Sequence, residues 1–146
     1  MNVQHRIELI ADHFQILFGD SEQAPLIDTT TLWDSPGRVA SLPGISELVG
    51  IGTVRYGGAT QLTIRIEDSP QVLLSGWQLM GRFEVNVPSG RLIFWGPELE
   101  EISQAPGVKL PSGRYEGLAF SQRTELVVDE MAADGPDEYL IALWRN

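Results

Sequence analysis

Apolar and polar residues alternate with period two along most of the chain, and this spacing predicts an all-β fold. Val3, His5, Ile7 and Leu9 alternate with Arg6 and Glu8, and Phe14, Ile16 and Phe18 with Gln15 and Leu17. The apolar set changes phase between Ile10 and Asp12, which predicts a β-bulge there. Leu62, Ile64 and Ile66 alternate with Thr63, Arg65 and Glu67 between Gly57-Gly58 and Ser69-Pro70, the cleanest strand pattern in the chain. Leu79 to Val87 alternates through Phe83 and Val85 and meets Pro88-Ser89-Gly90, with Leu92 to Trp95 expected as the returning arm of a hairpin.

A second Pro-Ser-Gly, Pro111 to Gly113, introduces the pattern from Arg114 to Phe120, and Tyr139 to Trp144 ends the series. The two tripeptides read as one turn chemistry used twice rather than as a duplicated domain. The helix signal is Pro97 to Ser103, where a proline in the first turn and Glu98, Glu100 and Glu101 suit the positive end of a helix dipole. Together these segments predict a single-domain antiparallel β-sandwich over residues 1–146, with about eight strands and one short helix.

A chain of 146 residues suits one domain with a sizeable core. With no cysteine, disulfides, thiolate metal sites and thiol nucleophiles are excluded. The longest uncharged stretch, Ser69 to Gly81, is too short to span a bilayer, so no membrane insertion is expected. Met1 to Phe14 carries His5, Arg6, Glu8 and Asp12 within its apolar pattern, unlike a signal peptide, and a cytoplasmic location is expected. The formal net charge of −10 opposes binding to nucleic acid.

Charge also has a location. Glu8, Asp12, Asp20, Glu22, Asp28 and Asp34 fall between Ile7 and Gly37 with no base among them. Glu125, Asp129, Glu130, Asp134, Asp137 and Glu138 do the same between Thr124 and Trp144. From Val39 to Arg123 eight acids face seven bases, so the acidity belongs to the two ends of the chain.

Catalytic and cofactor motifs are missing. Gly50-Ile51-Gly52 lacks the third glycine of a dinucleotide fingerprint and reads as a strand bend. The only lysine, Lys109, stands in no phosphate-binding loop, and no serine sits in a nucleophile elbow. His13 beside Asp12 is the one local acid/base arrangement, weighed against a structural imidazole. Asp129, Asp134 and Asp137 offer oxygens for calcium but match no EF-hand spacing, so no metal, cofactor or catalytic residue is assigned. Among Trp33, Trp77, Trp95 and Trp144, Trp33 is the candidate contact residue, because it stands in an acidic loop beside Asp34.

Ala11-Asp12-His13-Phe14-Gln15 continuing to Asp20, then Thr29 to Asp34, resembles the opening of the competence protein J family of bacterial DNA-entry nuclease inhibitors. The strand Leu62 to Ile66 ending in Asp68-Ser69, the strand Phe83 to Pro88, Leu110-Pro111-Ser112-Gly113-Arg114-Tyr115 and Asp137-Glu138-Tyr139 through Trp144 extend the resemblance over nearly the whole chain. It implies an acidic β-sandwich and, in the founding member, binding and inhibition of a nuclease; it carries no established set of functional residues.

The expectation is therefore a non-enzymatic protein-binding module, an inhibitor or immunity-type protein for a basic partner such as a nuclease or toxin. Its partner-binding residues would be Asp20, Asp28, Trp33, Asp34, Glu125, Asp129, Glu130, Asp134 and Asp137. The alternative is a calcium- or small-ligand-binding sandwich. Exposed sheet edges would also allow a homodimer.

Overall fold

The computed structural model describes residues 2–34, 37–70, 74–96 and 107–145. They form ten strands: β1 (Val3–Ala11), β2 (Gln15–Asp20), β3 (Val39–Leu42), β4 (Ile45–Gly52), β5 (Gly58–Glu67), β6 (Gln78–Val87), β7 (Arg91–Trp95), β8 (Val108–Lys109), β9 (Gly113–Gln122) and β10 (Glu138–Arg145). Two five-stranded sheets result, ordered β1-β5-β10-β9-β6 and β3-β4-β2-β7-β8. All pairings are antiparallel except that of β5 with β10, which run parallel at the centre of the first sheet. The sandwich is therefore the expected all-β class, with two strands more than the pattern suggested. The helix expected over Pro97 to Ser103 lies outside the described residues.

Several strands bury both faces, which is why their apolar runs look continuous. In β10, Tyr139, Ile141 and Leu143 enter the core between the sheets, while Leu140, Ala142 and Trp144 enter a second cluster on the outer face with Leu118, Phe120, Leu74 and Trp77. In β2, Ile16 and Phe18 face the inner core. Leu17 instead faces an outer cluster where Ala24, Ile27, Leu32 and Trp33 cover the second sheet. The segment from Ser21 to Asp34 is thus a lid packed on sheet, and burying each large apolar side chain there contributes roughly 1.5–3 kcal/mol.

The chain changes sheet four times. At one end of the sandwich, here the upper end, β1 leads into β2 and β4 into β5; at the lower end β6 leads into β7 and β8 into β9. The phase change at Ile10 to Asp12 is not a bulge but the upper crossing itself. Asp12 and Gln15 exchange backbone bonds of 3.3 and 3.1 Å around His13 and Phe14, whose φ values are 53° and 61°. This is the two-residue turn normally made by Asn-Gly, because both central residues need positive φ.

Both Pro-Ser-Gly tripeptides are lower crossings, so β6 and β7 are not a hairpin: β6 pairs with β9 and β7 with β2 and β8. Gly90 and Gly113 adopt φ of 73° and 147°, where a side chain would be strained. The two corners are tied together: the Ser112 hydroxyl donates to the Pro88 carbonyl at 2.8 Å, and the Leu110 N–H to the Gly90 carbonyl at 3.0 Å. One turn chemistry used twice is therefore what the fold needs, because each corner turns the chain from one sheet to the other.

Candidate functional site

At the upper end the Asp12–Phe14 turn meets the β4–β5 connection and the long β9–β10 connection. The Phe14 N–H donates to the Tyr56 carbonyl at 2.8 Å, the Thr53 N–H to the Phe14 carbonyl at 2.8 Å, and the Tyr56 N–H to the Glu130 carbonyl. The Tyr56 ring lies 5.1 Å from His13 and edge-on to Phe14 at 5.4 Å. Two left-handed non-glycine residues in succession are held by these bonds, and strain of this kind persists only where the surroundings over-determine it. Asp12 supports the turn by accepting the His13 N–H and standing 3.0 Å from His13 Nδ1. His13 is thus part of an exposed turn, with neither a packed-core position nor a second catalytic partner besides Asp12 among the described residues.

Beneath this surface lies a polar network that the sequence pattern did not disclose. Arg55 is 1% exposed, and Nε donates to Asp137 Oδ1 at 2.6 Å. Nη1 donates to the carbonyls of Gly57 and Ala132, and Nη2 to the Ala59 carbonyl and Thr60 hydroxyl. Asp137 Oδ2 accepts the Tyr139 hydroxyl at 2.9 Å, which in turn accepts the Val54 N–H at 2.9 Å. A buried arginine with all its donors engaged fastens the acidic β9–β10 connection to the β4–β5 connection. Burial first, then the neighbouring Asp137 charge, pushes the Tyr139 hydroxyl well above its ordinary range despite the Val54 N–H.

The sequence candidates now separate. Asp137 is buried in the arginine network and Asp20 is fully buried at the lower end, and both carboxylates are engaged within the fold. Asp20 accepts N–H groups from Glu22, Gln23 and Ser89. Burial raises its carboxyl, but these bonds outweigh it and hold the group below the usual range. Asp28 is exposed on the lid, where the Thr30 N–H at 3.0 Å holds its carboxyl below the usual range. Trp33 lies at the upper end of the lid, its indole N–H donating to the Gln15 side chain at 2.9 Å, with Asp34 exposed beside it.

Glu125, Asp129, Glu130 and Asp134 are exposed on the β9–β10 connection, and neither they nor Asp34 makes an ion pair among the described residues. Two of the upper-end arginines are already engaged, Arg55 by Asp137 and Arg123 by Glu138 at 2.9 Å, whereas the half-buried Arg38 beside the Trp33 side of the turn makes no ion pair among the described residues. First and last strands are not neighbours, since β5 separates them. The two acidic stretches nevertheless reach the same end, through Trp33 on one side of the turn and Glu130 on the other.

Among these acids stand exposed apolar side chains, Ile10, Phe14, Leu126, Val128 and Met131, with Val128 wholly uncovered. A cleft of about 400 Å³ lies on the Trp33 side of the turn, walled by His13, Phe14, Gln15, Arg38 and Thr53. A second of about 390 Å³ lies on the other side, between Ile10, Asp12, Tyr56 and Met131. Calcium finds less here: Asp137 is committed to Arg55, and no group of three metal-binding side chains stands together among the described residues.

No protein-family model matches the chain, and no curated protein matches it. Two solved structures do. One, "Crocagin biosynthetic gene J", is 19% identical with a TM-score of 0.67; the other, ComJ, the inhibitor of the DNA-degrading activity of NucA from Bacillus subtilis, is 15% identical with a TM-score of 0.64. Each comparison covers 100% of this chain and 99% of the other. The fold that the sequence resemblance implied is thus the fold found, and the chain shares it from end to end with ComJ and with crocagin biosynthetic gene J.

Proposed function

We propose that this protein is an inhibitor-type binding protein that presents the upper end of its sandwich to a basic protein, a DNA-degrading nuclease being the best-supported partner. The observation that carries this reading is the gathering of Asp34, Glu125, Asp129, Glu130 and Asp134, none in an ion pair among the described residues, around exposed Phe14, Val128 and Met131. A nuclease grips phosphate with basic residues, so an acidic surface speeds its encounter while the apolar side chains supply short-range affinity. The structural likeness to ComJ, an inhibitor of a DNA-degrading enzyme, supports the same assignment.

The test is inhibition of purified NucA, followed as loss of DNA degradation with increasing amounts of this protein at low and at high salt. Stoichiometric inhibition that weakens as salt rises is expected. Unchanged DNA degradation in the presence of a large excess of this protein at low salt would overturn the proposal.

A further inference from the structure

The lower end carries a cavity that the proposed function does not use. It has a volume of about 420 Å³ and lies beside the lower ends of β1 and β5, next to β8 and the start of β9. The walls are Val3, Ile66, Leu110, Pro111 and Tyr115, and Leu110 and Tyr115 belong to the inner core itself. The Tyr115 hydroxyl donates its proton to the Pro111 carbonyl. The size falls in the range of small-molecule sites, which are mostly apolar with a few placed polar groups.

The rim carries two acids and two cations, Glu67, Asp68, Lys109 and Arg145. Glu67 is buried and paired with Arg65 at 2.7 Å, and Asp68 is also engaged. Lys109 is exposed and pairs with no acid among the described residues. Arg145 is exposed as well, donating to the Ser112 carbonyl at 2.9 Å and lying 5.9 Å above the Tyr115 ring, with no carboxylate partner among the described residues. Lys109 and Arg145 thus bring two cations without a carboxylate partner among the described residues to this mouth, beside the paired Glu67 and the engaged Asp68.

We propose that this cavity is a binding site for an apolar small molecule ending in a carboxylate, with the chain or ring against Ile66, Leu110 and Tyr115 and the carboxylate between Lys109 and Arg145. An apolar amine would meet two cations that have no carboxylate partner, and a neutral alcohol would offer them an uncharged acceptor in place of a charge-assisted bond.

Titration calorimetry with the full chain tests this, using decanoate, decanol and decylamine below their aggregation concentrations. Decanoate is expected to bind one to one, with decanol and decylamine each weaker by about fivefold or more. Lys109→Glu should weaken decanoate by a similar factor. Val3→Trp, a change at an exposed strand position that narrows the mouth, should abolish binding while circular dichroism stays that of the parent. Absence of saturable decanoate binding, equal binding of the three probes, or binding indifferent to Val3→Trp would each overturn the proposal. So would tighter binding of a short peptide ending in two leucines, which would assign the site to a protein C-terminus. NucA inhibition is read separately, so either proposal can fail alone.

Discussion

The two ends of the sandwich use carboxylates in opposite ways. At the lower end Asp20 is buried and accepts three N–H groups, and the cations Lys109 and Arg145 stand beside the cavity with the engaged Asp68. At the upper end one acid, Asp137, is buried to neutralise Arg55, while Asp34, Glu125, Asp129, Glu130 and Asp134 stand in solvent without an ion pair among the described residues. Both ends contain a sheet-crossing pair of connections, so the fold demands neither arrangement. The difference teaches that the net charge of −10 combines structural acids with a directed surface, and that only burial and partners tell the two apart.

The largest expected effect concerns the anchor of the acidic surface. Asp137→Ala leaves the Arg55 guanidinium buried and uncompensated and should cost about 3–5 kcal/mol in urea unfolding. The double change Arg55→Met with Asp137→Leu should cost less than that single change, because no charge is then stranded. At the lower end Asp20→Ala should cost about 2 kcal/mol, from the loss of hydrogen bonds to a charged acceptor.

Titration separates the ends as well. The Asp20 carboxyl is held below its ordinary value of 3.8, so its contribution to stability is present above that pH and is lost as pH falls through the lower folded value. The Tyr139 hydroxyl is held above its ordinary value of 10.0, so its contribution is present below pH 10 and is lost as pH rises beyond it. Asp20→Asn should flatten the acid limb of a stability profile and Tyr139→Phe the alkaline limb, each leaving the other limb in place.

The smallest stability effect concerns the strained turn. Replacing His13 by Asn and Phe14 by Gly should raise stability by about 1 kcal/mol, because these residues accept positive φ. If the turn's side chains contact the partner, the same variant should inhibit NucA less well than the parent does. Equal inhibition would remove His13 and Phe14 from the binding surface.

Legibility from the sequence followed the same division. Alternation in Leu62 to Ile66 and in Phe83 to Val87 marks strands because one face packs and the other is polar. Strands covered on both faces, such as β10, lose that contrast and are recognised by their apolar run and the turns around them. The upper crossing was misread as a bulge because His13-Phe14 carries none of the glycine or asparagine that marks a positive-φ turn. The crossing at Pro88-Ser89-Gly90 was misread as a hairpin because a Pro-Ser-Gly turn looks the same whether the chain returns to its own sheet or changes sheet. Arg55 gave no signal, since a buried arginine differs from an exposed one only in its partners, and the one that neutralises it, Asp137, lies far off in sequence. Acidic residues were legible as segments but not as roles: Asp20 and Asp137 look like Asp34 and Asp134 until burial is known.

The central claim is that the upper end is the partner-binding surface, and the association rate with NucA tests it most directly. Two variants of matched charge are compared with the parent: Asp129→Lys, Glu130→Lys and Asp134→Lys at the upper end, and Glu22→Lys, Glu47→Lys and Glu84→Lys toward the lower end. The account predicts association slowed about tenfold or more by the upper changes at low salt, a loss that shrinks as salt is added, and a change of about twofold or less for the lower set. Equal slowing by the two sets, or no slowing by the upper one, would contradict it.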